Sequence, residues 1–338
     1  MVPPADRRPL GSGALTVEDA LTVAARFGVD VTSARAAALE GGFSNQSVRI
    51  DAREGSYVVR RYGRLHVTRA AIRFEHAIQA HAAKRMPEVV APLHDTTGAT
   101  IGTWRDEGFV AVFPFVAGTS GRRDLPSACA AARVLARFHR AMRDVHLTSG
   151  MRSVRFLGVL PWLRERFTRF AADRLLARKI DWDALLGAIT AATAAVAPRV
   201  AVLPHVVVHG DPNPDNVVTA EPGDVRGLID FDFAHETERV ADLGTLLDEF
   251  GRAGEDQPLE PARLAALIEA YAQEAPISAD ERALVPEAML RRAATLVWYV
   301  VTRHGERAPG DVGGAPRYAA RVAEIVRRSA EIRAAARG

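Results

Sequence analysis

Three short side chains with hard oxygen donors stand at the ends of apolar runs: Asp211, Asn216 and Asp230. The first two share one polar loop in Val206-Val-Val-His-Gly-Asp-Pro-Asn-Pro-Asp-Asn-Val-Val218, framed on both sides by β-forming residues. A turn at Glu221-Pro222-Gly223-Asp224 leads into Gly227-Leu-Ile-Asp-Phe-Asp232, so Asp230 returns at the end of the next strand of a hairpin. One carboxylate to orient an attacking hydroxyl, with an Asn and a second Asp to hold Mg²⁺ on nucleotide phosphates, is a set suited to phosphoryl transfer.

Elements that can position these groups are legible upstream. Thr16 has the chemistry of a helix N-cap, with Glu18 and Asp19 in the first turn and Gly28 past the last periodic residue. A hairpin follows: Leu39 to Ile50, a turn at Arg53-Glu54-Gly55, and the β-rich run Tyr57-Val-Val-Arg-Arg-Tyr62. The Gly-Gly-Phe-Ser-Asn loop at its mouth can approach phosphates closely, offering backbone N–H groups and the Ser44 hydroxyl. No Gly-x₄-Gly-Lys-Ser/Thr occurs, which excludes a P-loop. Thr68 then caps a helix to about residue 85, with Ile72, Glu75, Ile78 and Gln79 on one side. Strands are expected at 99–101 and 109–113.

Beyond these strands the pattern turns helical. Ala128, Ala132, Leu135, Phe138 and Met142 form one apolar face of a helix over 125–145, and His139 beside it reads as structural. Further helices are expected over 156–177 and 181–196, then from 238 onward, and at about 260–275, 279–303 and 316–337. No period of 20–50 residues repeats, so a solenoid is not expected.

The pair His209-Gly-Asp-x-x-x-x-Asn216 and Ile229-Asp-Phe231 resembles the signature of the aminoglycoside phosphotransferase and choline kinase family, small-molecule kinases on a protein-kinase-like scaffold. The resemblance covers roughly residues 39–250. It implies a mixed α/β (α+β), two-lobed fold. Residues 1–15 would form a flexible N-terminus, 16–113 a β-rich nucleotide-binding lobe, and 114–338 a larger helical lobe. It also implies Asp211 as the catalytic base and Asn216 and Asp230 as metal ligands. ATP and Mg²⁺ are the implied cofactors, with Ser44 and Asn45 of the loop near the nucleotide. Arg60 stands where the family carries its phosphate-contacting cation, although a one-residue slip of the strand would put Arg61 there instead. Glu75 resembles the helix glutamate that holds this cation. The run from Phe113 through Phe115 to Gly118 resembles the hinge whose backbone edge meets adenine. Asp242 resembles a residue that braces the catalytic loop.

The implied reaction is phosphorylation of a small-molecule hydroxyl by a transferase. An antibiotic-type acceptor, hence antibiotic resistance, is the first expectation. A metabolite kinase for homoserine, choline, ethanolamine or a sugar is the alternative, and a catalytically silent nucleotide-binding scaffold a third reading. The acidic run Asp248, Glu249, Glu255 and Asp256 would border the acceptor cleft and favour a cationic acceptor, unless it is a solvated helix face.

Composition supports a soluble globular chain. Its 338 residues allow about two domains of roughly 150 residues each. Hydrophobic and charged contents are 48% and 25%, and the formal charge of +3 gives no basic footprint for nucleic acid. No stretch approaches the roughly 18 uninterrupted apolar residues of a membrane span, and Met1 to Gly13 lacks a signal-peptide core. Cytoplasmic residence is therefore expected, as a monomer or homodimer whose partners are a nucleotide and a small acceptor. Cys129 reads as a small core residue. His235-Glu-Thr-Glu-Arg239 lacks the second histidine of a zinc helix, and Ser120 lacks a nucleophile elbow.

Overall fold

The computed structural model describes residues 14–39, 45–63, 68–105, 108–145 and 156–337. The flexible tail expected at the N-terminus and the Ser44 hydroxyl fall largely or wholly outside them. The chain divides into two compact units, one containing the residues up to Gly118 together with Arg226–Asp232, the other most of the remainder. The first thus extends past the boundary expected at 113 and takes in the segment bearing Asp230.

In the first unit, α1 (Val17–Arg26) opens with a capping box: the Thr16 hydroxyl accepts from the Asp19 N–H, and the Asp19 carboxylate accepts from the Thr16 N–H. Strands β1 (Arg35–Leu39), β2 (Gln46–Ala52) and β3 (Gly55–Arg61) follow, then α2 (Arg69–Ala83), capped by Thr68. Next come β4 (Gly102–Trp104) and β5 (Gly108–Pro114). They build one antiparallel sheet in the order β1-β2-β3-β5-β4. The strand expected at 99–101 lies later because Asp95 Oδ1 accepts from the N–H groups of Thr97 and Ala99, closing a turn over those residues.

Strand alternation gives this sheet two distinct apolar faces. Val48, Ile50, Val59, Val110 and Val112 pack with Ala20, Val23, Ala24 and Phe27 of α1. Ala111 and Phe113 join Tyr62, Ile72 of α2 and Ile101. Each fully buried Ile or Val stabilises the sheet by about 1.5–3 kcal/mol. Register follows: Arg60 sits opposite Ser47 and Ala111 and shares its face with Tyr62.

The second unit holds α3 (Leu125–Ala141), α4 (Phe156–Ala172), α5 (Trp182–Val196), β6 (His205–Val208) and β7 (Val217–Thr219). The chain continues through β8 (Val225–Leu228), at the boundary between units, to β9 (His235–Glu238), α6 (Arg239–Phe250) and α7 (Pro261–Glu274). It ends in α8 (Ala279–Ala283), α9 (Val285–Gly305), α10 (Ala315–Arg327) and α11 (Ser329–Arg337). The helix expected over 279–303 breaks at Leu284. Pro286 in the next turn lacks an N–H and would crowd a preceding carbonyl, so a new helix starts around it. Residues 316–337 divide likewise at Arg328, which caps α10. The zinc-helix look of His235–Arg239 dissolves because β9 pairs antiparallel with β6, Val208 opposite His235.

One close approach matters for the chemistry. A Cβ on Gly244 of α6 would lie 2.3 Å from the Ala288 Cβ of α9, so only glycine permits this spacing. About one turn further along, it brings Glu249 and Arg292 together. Among the described residues, no helix is long and apolar enough to cross a membrane.

Candidate active site

The first unit supplies a charge cluster around Arg60. Its Nη1 lies 3.4 Å from Glu75 Oε1, 3.4 Å from Asp230 Oδ1 and 3.5 Å from Asp232 Oδ1. Burial works against the guanidinium charge, but Asp230, Asp232 and Glu75 outweigh it and hold Arg60 above its ordinary range. Burial likewise pushes the Glu75 carboxyl well up, opposed by Arg60 and reinforced by Asp232 and Asp230. Arg61 points the other way: it donates to Gln46 Oε1 at 2.9 Å and lies 4.2 Å over the Trp104 ring. Arg60, rather than its neighbour, therefore faces Glu75.

Asn45 turns both ends of its amide inward. Nδ2 donates to Asp232 Oδ2 at 2.7 Å, and Oδ1 accepts from the Gly63 N–H at 3.0 Å. It fixes Asp232 and the strand end. Asp230 adopts φ +65°, a left-handed conformation uncommon outside glycine and tolerated by Asp through its short polar side chain. Its carboxylate is 37% exposed, against 2% for Asp232. Phe113 is buried, with the Arg60 guanidinium 5.5 Å from its ring centroid. The Phe115 N–H donates to Ser56 O at 2.8 Å, and its ring carries the Arg49 guanidinium at 4.0 Å.

The second unit supplies the loop after β6. Gly210 has φ +87°, and a Cβ there would lie 2.1 Å from Phe233 O, so the glycine before Asp211 is required twice over. Asp242 braces the loop from inside. Its Oδ2 accepts from the His209 N–H at 3.0 Å, and its Oδ1 from the Gly210 N–H at 2.9 Å. His139 Nε2 lies 3.0 Å from Asp242 Oδ2, while its Nδ1 meets the Tyr271 hydroxyl at 2.6 Å. Burial disfavours the Asp242 charge, yet the His139 hydrogen bond and charge, His209 and the Gly210 N–H prevail and hold it below the usual carboxylate range. Asn216 Nδ2 donates to Asp211 O at 2.9 Å, which orders the loop and turns the amide oxygen the other way.

Asp211 itself meets an arginine from α9: Arg292 Nη2 lies 2.8 Å from Asp211 Oδ1 and 3.1 Å from Glu249 Oε1. Glu249 is further paired with Arg321 at 3.5 Å and Arg123 at 3.7 Å. Burial alone would raise Glu249, but Arg292, Arg321 and Arg123 hold it below its ordinary range. Burial and the Glu249 charge push Asp248 up to about 6.

The expectation of one acidic face is corrected here. Asp248 is 0% exposed and Glu249 nearly so, each enclosed by arginines, so Asp248 cannot meet a diffusing acceptor. Glu255 and Asp256 lie beyond α6, exposed and paired with Arg317. Sequence reasoning assigned no role to Asp232, although it stands two residues after Asp230 in the quoted motif. It also missed Arg292, for which no local pattern exists.

In the first unit the partly exposed Asp230 carboxylate is a hard oxygen ligand of the kind Mg²⁺ accepts, and in the second the Asn216 amide oxygen is another. Among the described residues, no group of three or more His, Cys, Asp or Glu could enclose a metal unaided.

Residues 35–277 match the model of the phosphotransferase enzyme family. The chain belongs to that family. It is accordingly a phosphotransferase, a kinase acting on a hydroxyl. It is 27% identical over 259 residues to a homoserine kinase of Rhodopseudomonas palustris, covering 75% of this chain and 74% of that protein. A homoserine kinase of Polaromonas naphthalenivorans is 28% identical over 265 residues, covering 76% and 78%. Among solved structures, a microcompartment-associated aminopropanol kinase superposes with a TM-score of 0.73 at 17% identity, over 94% of this chain and 98% of that one. An aminoglycoside phosphotransferase of Alicyclobacillus acidocaldarius superposes at 0.67 with 18% identity, over 93% and 94%. At such identities these structures speak to the fold alone, a mixed α/β architecture shared across small-molecule phosphotransferases.

Proposed function

We propose that this phosphotransferase transfers the γ-phosphoryl group of ATP to the hydroxyl of a small amino alcohol or amino acid of the homoserine type. Asp211 is the residue that orients the hydroxyl and takes its proton as the new P–O bond forms and the bond to the leaving ADP oxygen breaks. Arg60, held by Glu75, contacts the nucleotide phosphates. Asn216 and Asp230 would hold Mg²⁺, which when bound neutralises charge on the phosphate oxygens.

The observation that carries this reading is the bracing of the Asp211 loop. A buried Asp242 grips the backbone on its N-terminal side, and Asn216 closes it on the other. Phosphoryl transfer is mostly positioning and electrostatics, so a rigid carrier for the base is what the reaction needs. For the acceptor, the support is the homoserine kinase activity named for the curated relatives, each matched over about three quarters of this chain. The burial of Asp248 and Glu249 weakens the case for an acidic acceptor cleft and bears equally on amine-bearing antibiotics and amino alcohols. Structures of a spectinomycin phosphotransferase and an amicoumacin kinase share the fold, which keeps such acceptors in the test set.

The test is ATP consumption by the purified protein with homoserine, choline, ethanolamine, aminopropanol, spectinomycin and an aminoglycoside, with Mg²⁺ present and absent. Homoserine or a close amino alcohol should give the highest kcat/KM. Preference for an antibiotic would overturn the acceptor assignment, and no acceptor-dependent turnover would overturn the whole reading.

A further inference from the structure

We propose that Arg292 is a positioning residue for Asp211, a guanidinium held by Glu249 that fixes the carboxylate in the orientation needed to receive the acceptor hydroxyl. This deepens the reading of Asp211 as the base and rests on it.

The geometry is specific. Asp211 Oδ1 is buried and makes no hydrogen bond among the described residues. The Arg292 charge 2.8 Å away is what compensates it, leaving the other carboxylate oxygen for the hydroxyl. Arg292 is itself held from behind: Nε and Nη2 approach Glu249 Oε1 at 3.2 and 3.1 Å. Glu249 is fixed in turn by Arg321 and Arg123, and the Gly244–Ala288 contact locks α6 against α9. A chain of buried charges therefore runs from the helix pair to one oxygen of the base. Arg is suited to this role because its rigid planar fork stays charged and can meet two carboxylates at once, where Lys offers a single point charge. Without the guanidinium, Oδ1 would be a buried, uncompensated charge, and the side chain would rotate toward water or take up a proton. Misplacing a reacting group by about 1 Å costs on the order of 10²-fold in rate.

Replacement leaves Glu249 with Arg321 and Arg123, so the helix pair retains its ionic partners. Steady-state kinetics of the full chain, with ATP and the acceptor found above, should show Arg292→Met lowering kcat about 10²-fold, while both KM values stay within about 3-fold. Arg292→Lys should fall between the two. In an Asp211→Asn background, Arg292→Met should cost less than about 3-fold more, because the group it positions is gone. The full loss recurring in that background would overturn the proposal. So would a loss confined to the KM of the acceptor, which would make Arg292 an acceptor-binding group. If Arg292→Met fails to fold, as judged by circular dichroism melting, Arg292→Lys carries the same cycle. An active wild type with an unaffected Arg292 variant overturns this inference alone, whereas an inactive wild type overturns the functional reading with it.

Discussion

Each unit of this enzyme centres on one arginine among carboxylates, and the two centres differ in what surrounds the cation. Arg60 has three acids at 3.4–3.5 Å, one of them the partly exposed Asp230. Such loose contacts hold several acids near one cation while leaving Asp230 accessible, as its proposed role as a metal ligand requires. Arg292 makes closer contacts, at 2.8 and 3.1 Å, and its acids face inward. That is the arrangement of a support. Similar residue types thus serve two purposes, and the distances and exposure distinguish them.

Breaking the first centre at its open end should have the largest effect. Asp230→Ala is expected to lower turnover about 10³-fold, because a hard ligand of the phosphate-bound cation is lost, worth several kcal/mol of charge stabilisation. Activity titrated against Mg²⁺ checks this, and an unchanged Mg²⁺ dependence would remove Asp230 from the metal site. Next, Arg60→Ala should lower kcat/KM for ATP by about 10²-fold. Arg61→Ala, on the Trp104 face, should change it little. Glu75→Ala should act through the same cation, so the Arg60/Glu75 double variant should show clear non-additivity. Additive losses, or a greater loss at Arg61, would dismantle the Arg60 centre as described.

The bracing of the second centre is a stability statement as well. Asp242 has a depressed pKa in the folded protein, so its contribution is present above its unfolded value of about 3.9 and is lost as pH falls through the folded value. Asp242→Asn should cost about 2–3 kcal/mol near pH 7, measured by urea unfolding, and the gap from wild type should shrink below about pH 4. A gap independent of pH would mean the carboxylate charge is not what holds His209, Gly210 and His139. The smallest effect is expected at Glu255 and Asp256, exposed and already paired with Arg317. Their joint conversion to Gln and Asn should change the acceptor KM by less than about 3-fold and weaken any salt dependence. A larger change would return the acidic segment to the acceptor site.

These two centres were not equally readable from the chain. Arg60 and Glu75 were paired in advance by the family resemblance, on a strand and a Thr-capped helix that local signals mark, while the choice between Arg60 and Arg61 waited on the strand register. Asp211, Asn216 and Asp230 were visible as a spaced set, and the glycine between His209 and Asp211 marks a turn. Arg292 gave no such signal: α9 is a long apolar helix with paired arginines, and only its approach to Gly244 aims one of them at Asp211. Asp248 misled for a related reason. Acids usually mark a solvated face, yet every residue of α6 is buried, and arginines from distant segments make that possible. Charge pairs between segments far apart in the chain leave no periodicity to read.

The central claim is that Asp211 acts on the acceptor hydroxyl rather than on the nucleotide. Its most direct test is Asp211→Asn, assayed for acceptor phosphorylation and, by calorimetry, for Mg²⁺–ATP binding. The account predicts a kcat lower by on the order of 10²–10⁴ with nucleotide affinity unchanged, since only the proton-accepting, hydroxyl-orienting group is lost. Turnover close to wild type on the true acceptor, or a loss explained by weaker nucleotide binding, would contradict it.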